Sequence, residues 1–429
     1  MDYTGFVTRI KNIRPHSNAD RLNVGTCFGN SVIVSLETEE EELGLYFPTD
    51  GQLGVEYCET NNLLRKKDAS GKNIGGYLEP NIRHVRALKL RGEISDGLFM
   101  PLESLSDFTN VSKLKEGDLI SVLNGVEICK KYIPVMKMVR SQPTQPKNKI
   151  RDTISYPMFA QHGDTTQLVY NLHQFEIGDV CYMTLKMHGT SGRTGFLQKE
   201  DKKYYKGIKK LFSKTKFSVK KTWEYITGTR RTIRESFEGG YYGDDSFREV
   251  HHKKFVDKLQ KGEIIYYEIV GYHAENSPIM GTVSNEKTKD KEFIKIYGDT
   301  TTYSYGCDNG KSDIYIYRIT MTNEDGYKID YPWGLVQIRA EQLGLKTVME
   351  LDRFIFTTEE DLVERVAKHS DGVDPIGKTH IREGVVVRIE GKDSFKAFKH
   401  KNFNFKCLEG IVKDAGIVDI EEQEEIKGE

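Results

Sequence analysis

TLKMHGTSGRTG, residues 184–195, sets a single lysine, Lys186, in a β-like run, follows it two positions later with His188, and turns at Gly189. An ammonium in a half-buried strand loses hydration that apolar neighbours do not return, so it needs a partner or a chemical task. A lysine with the ordinary pKa of about 10.4 carries a free amine in only roughly one molecule in 2,500 at pH 7, a deficit of about 4.6 kcal/mol. If Lys186 is a nucleophile, neighbouring cations and partial burial must favour its neutral form, and the negative charge of any phosphate it attacks must be screened. The stretch therefore predicts further positive groups elsewhere in the chain.

FKAFKHKNFNF, residues 395–405, supplies them: in an extended strand Lys399 and Lys401 point to one face, where both amines can meet a single triphosphate. Just before it, REGVVVRIE opens a buried β-run with Glu383, and KGEIIYYEIVGY places Glu268 on a strand in the same way. A lone carboxylate among apolar strand residues needs a divalent metal, a ribose hydroxyl or a basic side chain, or else is a salt-bridged core residue. SDIYIYRIT puts Tyr315 and Tyr317 on one face of a strand, where a ring can stack on a purine or simply fill the core.

The chain has 429 residues, enough for two or three domains with real cores, and its 63 Lys and Arg against 64 Asp and Glu give no global polyanion-binding charge. The start, MDYTGFVTRIKNIRPH, has no apolar signal core and no run reaches the length of a membrane span, so a cytoplasmic or virus-encoded protein with no membrane partner is expected. Cys27, Cys58, Cys129, Cys181, Cys307 and Cys407 are scattered without a C-x-x-C pair and read as free, mostly buried thiols.

The fold class is α+β. Up to about Val135 short β-like runs (GFVTRI, RLNVGTCF, SVIVSLE, LGLYF, RHVRALKL, DGLFMPL, DLISVLN) alternate with turns, the pattern of a small β-barrel that hides its edges. VRSQPTQPKNKIRDT, residues 139–153, has linker composition and separates 1–138 from 154–429. Beyond it strands mix with helix-like pieces, DSFREVHHKKFVDKLQKG and PWGLVQIRAEQLG, and the acidic tail from Asp414 is expected to fray.

The stretch 199–234 is dense in lysine and arginine and carries Tyr204, Tyr205, Phe212, Phe217 and Trp223. It suits single-stranded polyphosphate, with Lys209, Lys210, Lys220 and Lys221 on phosphates and rings against bases, or equally a solvated basic helix with its aromatics turned inward. GCDNGKS, residues 306–312, has one residue too few between its glycines for a P-loop, and adjacent His251 and His252 point apart, which argues against a zinc pair.

K-x-H-G at Lys186–Gly189, Y-E-I-V-G at Tyr267–Gly271, Y-R-I at Tyr317–Ile319, E-G-V-V-V-R at Glu383–Arg388 and K-H-K at Lys399–Lys401 resemble, in order, motifs I, III, IIIa, IV and V of the covalent nucleotidyltransferases, which comprise RNA ligases, DNA ligases and mRNA-capping guanylyltransferases. The resemblance covers about Asp152 to Cys407. Histidine stands where aspartate is commoner in motif I, and the following G-T-S looks more like the RNA ligases. Only 28 residues follow Lys401, too few for the OB domain that DNA ligases and capping enzymes carry there. A β-rich N-terminal region instead resembles the family 5 RNA ligases, as do LGLYFPTDGQLG and RALKLRGEISDGLFMPL.

The resemblance implies an N-terminal OB-like barrel and a nucleotidyltransferase domain of ATP-grasp-like antiparallel sheets with helices. It also implies ATP, Mg2+ or Mn2+, and a monomer acting on nicked or broken RNA. Lys186 would be the catalytic nucleophile carrying AMP, with His188 and Gly189 beside it in the nucleotide site. Glu268 would contact ribose, Tyr317 would stack on adenine, and Lys399 and Lys401 would grip phosphates. Glu383 would hold the metal, with Glu268 as a second metal candidate. Arg230 looks like the basic residue that follows motif I, and Arg193 is a further phosphate candidate. A DNA- or RNA-nick-sealing ligase, a capping-type guanylyltransferase and a non-catalytic OB-fold RNA-binding protein remain as alternatives.

Overall fold

The computed structural model describes residues 3–134, 153–163, 165–205, 217–239 and 241–416. In the N-terminal part the runs with alternating apolar residues become short antiparallel strands: β1 (Gly5–Arg9), β2 (Lys11–Pro15), β3 (Leu22–Cys27), β4 (Asn30–Ser35), β5 (Leu43–Phe47), β6 (Leu98–Pro101) and β7 (Leu119–Ile120). One sheet runs β6-β5-β1-β7, and β2-β3-β4 form a meander. Val7, Leu45, Phe47, Leu53, Tyr57 and Ile128 fill the core of this region. Of the expected linker, only Thr153 falls within the described residues, where it opens a strand, Thr153–Ser155, that pairs with β9 (Thr190–Tyr204).

The remainder is built on two antiparallel-rich sheets. The five-stranded one contains, in spatial order, Thr166–Gln167, β15 (Lys396–Lys401), β14 (Gly384–Ile389), β8 (Val180–Lys186) and β13 (Glu350–Ile355). The nine-stranded one has as its spine β10 (Phe217–Gly228), β9, β11 (Glu263–Ala274) and β12 (Ser312–Thr322). The period of two explains the faces of the smaller sheet. Cys181 and Met183 of β8, Val385, Val387 and Ile389 of β14, and Phe398 of β15 turn into one core. Their alternates, Thr184, Lys186, Val386, Arg388, Ala397, Lys399 and Lys401, line a cavity on the other side.

The chain steps from one sheet to the other through Met187, His188 and Gly189, so the motif read from the sequence is the joint between them. A Cβ at Gly189 would lie 2.3 Å from the carbonyl oxygen of Ile269, which is why glycine is needed where β9 meets β11. Helix α1 (Trp333–Leu343) follows Pro332 and stops at Gly344, whose φ of 68° is the left-handed cap glycine favours. It covers the larger sheet with Trp333, Val336, Ala340 and Leu343. Arg339 of α1 donates to both oxygens of the fully buried Glu263 of β11, at 2.7 and 2.8 Å.

The expected helix after Asp244 is one short element, Ser246–Lys253. GCDNGKS is a turn closed by Lys311 and Asp308 at 2.9 Å. The basic stretch is not a helix in its described part: β9 and β10 form a long hairpin, with Lys199 against Glu224 and Lys221 against Glu200 across it, while Lys209, Lys210 and Phe212 lie outside the described residues. All six cysteines are free, four of them buried. Among the described residues no helix is long and apolar enough to cross a membrane.

Helix α2 (Phe403–Asp414) joins the two parts of the molecule. Asn402 caps it, accepting from Phe405 N at 3.1 Å. Lys413 reaches Asp50 at 2.5 Å, Lys406 pairs with Asp96, and Asp414 takes His84 at 2.7 Å and Arg86 at 2.8 Å. Asp414 therefore does not belong to a fraying tail: it is the last helical residue and holds the N-terminal region, while 417–429 of the expected tail lie outside the described residues.

Because Glu263 is buried and its carboxylate is met by one guanidinium, Arg339→Met is expected to lower stability by about 3–5 kcal/mol in urea unfolding, and a further Glu263→Leu to recover most of that loss. An Arg339→Met midpoint equal to wild type would show that the pair does not hold α1 on the sheet.

Candidate active site

Strand register brings the basic residues together. Lys186 lies opposite Gly384, and Gly384 opposite Lys401. One step along, Thr184 lies opposite Val386 and Val386 opposite Lys399. Adjacent strands are about 4.8 Å apart, so two lysines flanking one intervening strand can converge only if that strand offers no side chain between them. Gly384 meets this requirement, with a φ of 151° and no room for a Cβ, which would lie 2.0 Å from the carbonyl oxygen of His400.

Lys186 Nζ sits 2.6 Å from Glu383 Oε1, and Lys401 Nζ sits 3.9 Å from the same oxygen. Glu383 is 2% exposed, and its Oε2 is buried without a hydrogen-bond partner. A buried carboxylate oxygen left in this way is costly and suits a cation. Among the described residues no group of three or more His, Cys, Asp or Glu forms a protein-only metal cage. One carboxylate, completed by water and phosphate oxygens, is the kind of site Mg2+ or Mn2+ takes beside a nucleotide, so the residues present fit a divalent ion.

Burial, reinforced by the charges of Lys401, Lys186 and Arg230, depresses Lys399 to about 8. Burial works on Lys401 in the same direction, but the carboxylates of Glu409 and Glu383 outweigh it and hold this lysine above its ordinary range. Glu409 of α2 accepts from Lys401 Nζ through both oxygens, at 2.8 and 2.7 Å. The cations are thus gathered more closely than their own acids offset, which is the electrostatic form of a polyanion site.

His188 faces the same cavity, half-buried, with its ring edge-on between Tyr303 at 4.7 Å and Phe405 at 4.8 Å. Burial lowers its pKa to about 4, so the imidazole is neutral at pH 7. Its backbone N–H donates to Tyr305 Oη at 2.6 Å, which fixes the turn after Lys186.

The cavity has a volume of about 830 Å³ and lies between the two sheets and the N-terminal region. Lys186, His188, Gly189, Arg230, Glu268, Tyr317, Glu383, Lys399 and Lys401 all line it. Arg193 does not: two positions beyond Ser191 it is buried, stacked 4.1 Å over Phe159 and donating to the carbonyls of Phe159 at 3.0 Å and Arg231 at 3.2 Å. Its guanidinium braces the segment around Phe159 instead of facing a phosphate. The expectation that Tyr315 and Tyr317 share a face also fails. Tyr266 pairs with Arg318 and Tyr267 with Ile316, leaving Tyr317 as the extra residue of a β-bulge. Such a bulge re-aims a side chain, so Tyr317 lines the cavity while Tyr315 stays in the core.

Several lining residues escaped the sequence reading. Phe395 sits 4.3 Å from the Arg318 guanidinium and 5.2 Å from that of Arg388, and His162 meets Tyr317 edge-on at 5.1 Å. Arg388 lay within the quoted E-G-V-V-V-R, and its even spacing from Val386 was the available signal. Glu409 had none beyond its place on a helix following K-H-K.

The fold is shared with solved structures. A variant of Naegleria gruberi RNA ligase with ATP and Mn, another with AMP and Mn, and that ligase with PPi match with TM-scores of 0.55, 0.56 and 0.55 and identities of 15%, 16% and 16%. The matches cover 94%, 94% and 96% of this chain and 98%, 97% and 98% of those chains. No family model matches the sequence, and no curated protein does. The fold of that RNA ligase therefore extends through nearly the whole of this chain, motif joint and N-terminal region included.

Proposed function

We propose that this protein is an ATP-dependent RNA ligase that works through a lysyl-AMP intermediate on Lys186. The arrangement is that of the family 5 enzymes: an OB domain over 1–138, a linker over 139–153 and a nucleotidyltransferase domain over 154–429. The observation that carries this reading is the convergence of Lys186 and Lys401 across the side-chain-free Gly384, with Glu383 between the two amines and Lys399 lining the same cavity. The RNA ligase that shares the fold has been captured with ATP and Mn, with AMP and Mn and with PPi. Those are the substrate, the transferred group and the leaving group of such a reaction. The short antiparallel sheets of the N-terminal region support the OB assignment. One chain supplies every group named here, which supports action as a monomer.

In the first step Lys186 Nζ attacks the α-phosphorus of ATP, a P–N bond forms, and the bond to pyrophosphate breaks. Glu383 Oε1 is placed to take the proton that the amine sheds. Lys399, Lys401 and Arg230 neutralise the phosphate oxygens as charge moves onto the leaving group. Glu268 holds the ribose from β11 of the larger sheet, and Tyr317 presents its ring to adenine. Glu383, with Glu268 as the second carboxylate, would hold the divalent ion, which when bound supplies charge neutralisation at the phosphates. In the second step an RNA 5′-phosphate oxygen displaces Lys186 from phosphorus and takes up AMP. In the third, a 3′-hydroxyl attacks that 5′-phosphate, the phosphodiester forms and AMP leaves.

Incubation with α-labelled ATP and Mg2+ or Mn2+ is expected to give an acid-labile protein band in wild type and none in Lys186→Ala. A band of equal strength in Lys186→Ala would remove the assigned nucleophile, and labelling from GTP alone would turn the reading toward a guanylyltransferase. Because the folded value of Lys399, about 8, lies below its ordinary 10.5, the unfolded chain binds more protons between those values. Stability therefore rises with pH across that window, and the cost of the buried charge is fully present below it. Lys399→Met is accordingly expected to raise the thermal midpoint at pH 7 while weakening tripolyphosphate binding by about tenfold. A lowered midpoint with unchanged binding would contradict the assignment.

A further inference from the structure

Helix α2 presents Lys406, Glu409 and Lys413 along one stripe, spaced three and four residues apart. Its outer two members bind acids of the N-terminal region, Lys406 to Asp96 and Lys413 to Asp50 at 2.5 Å. The middle member turns the other way, to Lys401 at the end of β15. The stripe completes a chain of alternating charge: Lys186 to Glu383 at 2.6 Å, Glu383 to Lys401 at 3.9 Å, Lys401 to Glu409 at 2.7 Å, Glu409 to Lys413 at 3.8 Å, and Lys413 to Asp50 at 2.5 Å. It runs from the proposed nucleophile to the N-terminal region without a gap longer than an ion pair.

Lys401 stands between two acids and is held by the more distant one along that chain. Were Glu409 neutral, the nearest carboxylate left to Lys401 would be Glu383, which Lys186 already occupies. Two amines would then compete for one oxygen, and Lys401 would leave the place from which it faces a phosphate. We propose that Glu409 is a positioning residue for nucleotidyl transfer: it holds Lys401 away from Glu383 and, through Lys413 and Asp50, makes that hold depend on the seating of the N-terminal region. This rests on the ligase reading above.

Simple electrostatics and positioning predict opposite signs, which makes the idea testable. Removing a negative charge from the cavity should by itself tighten polyanion binding. Loss of positioning should slow chemistry, and an interaction that matters only in the transition state lowers the rate constant rather than the affinity. Glu409→Gln is therefore expected to bind tripolyphosphate within about threefold of wild type, because the lost negative charge offsets the displaced Lys401, yet to form the lysyl adduct about tenfold more slowly at saturating ATP, with a half-saturating ATP concentration that does not rise. Asp50→Asn should slow adduct formation by a smaller factor, because Lys413, no longer held by Asp50, can then draw closer to Glu409. Asparagine tolerates the positive φ of 74° at that position, so this second variant places little strain on the fold.

A crystal structure of Glu409→Gln gives a readout that needs no activity: Lys401 Nζ turned onto Glu383 supports the proposal, and Lys401 Nζ unmoved overturns it. Adduct formation at the wild-type rate, or weaker binding and slower transfer falling together with the thermal midpoint, also overturns it. If wild type forms no adduct at all, the ligase reading fails on its own account and the position of Lys401 in that crystal structure still decides the role of Glu409.

Discussion

The crowding of like charge around Glu383 is the constraint on which the rest of the site depends. Lys186 comes from β8 and Lys399 and Lys401 from β15, the strands on either side of β14 in one sheet, and their mutual repulsion has to be offset by something other than water. Two acids do part of this, the buried Glu383 at the centre and the half-buried Glu409 from the helix behind. The remainder is left uncompensated and adds to burial in depressing Lys399. A cavity built in this way is a poor place for an empty protein and a good one for a polyphosphate, and stability surrendered at a functional site in exchange for activity is a general pattern.

Geometry makes the crowding possible. Gly384 leaves the middle strand bare so that amines on either side can lean over it, and Gly189 lets the chain turn from one sheet into the next without striking Ile269. Behind this floor the packing is ordinary: Val385, Val387, Phe398 and Met183 form a dry core that holds the three strands in register. A slip of one residue in β15 would bury Lys399 and expose Phe398, so the hydrophobic face enforces the placement of the charges.

The N-terminal region is tied to the site through α2. Its acids, Asp50 and Asp96, answer basic residues of the helix whose middle position holds Lys401. The cavity is closed on one side by that region, and the same contacts that seat it also bear on the charge balance within.

The strand setting of Lys186 and the common face of Lys399 and Lys401 were legible in the sequence, because a period of two sorts polar from apolar residues whatever the partner strand turns out to be. The order of the motifs carried the likeness to nucleotidyltransferases for the same reason: each is a local pattern of strand, turn and charge. Arg193 and Tyr317 mark where local pattern stops. An arginine near a glycine-rich turn reads alike whether it meets phosphate or a carbonyl, and only packing beneath Phe159 assigned it to the second. Alternation placed Tyr315 and Tyr317 together, and only pairing with β11 opened the bulge that parted them. Glu409 is the clearest case. Its chemistry is decided by the meeting of a helix, a strand end and a distant N-terminal acid, and an ion pair between residues far apart in the chain leaves no periodic trace along it.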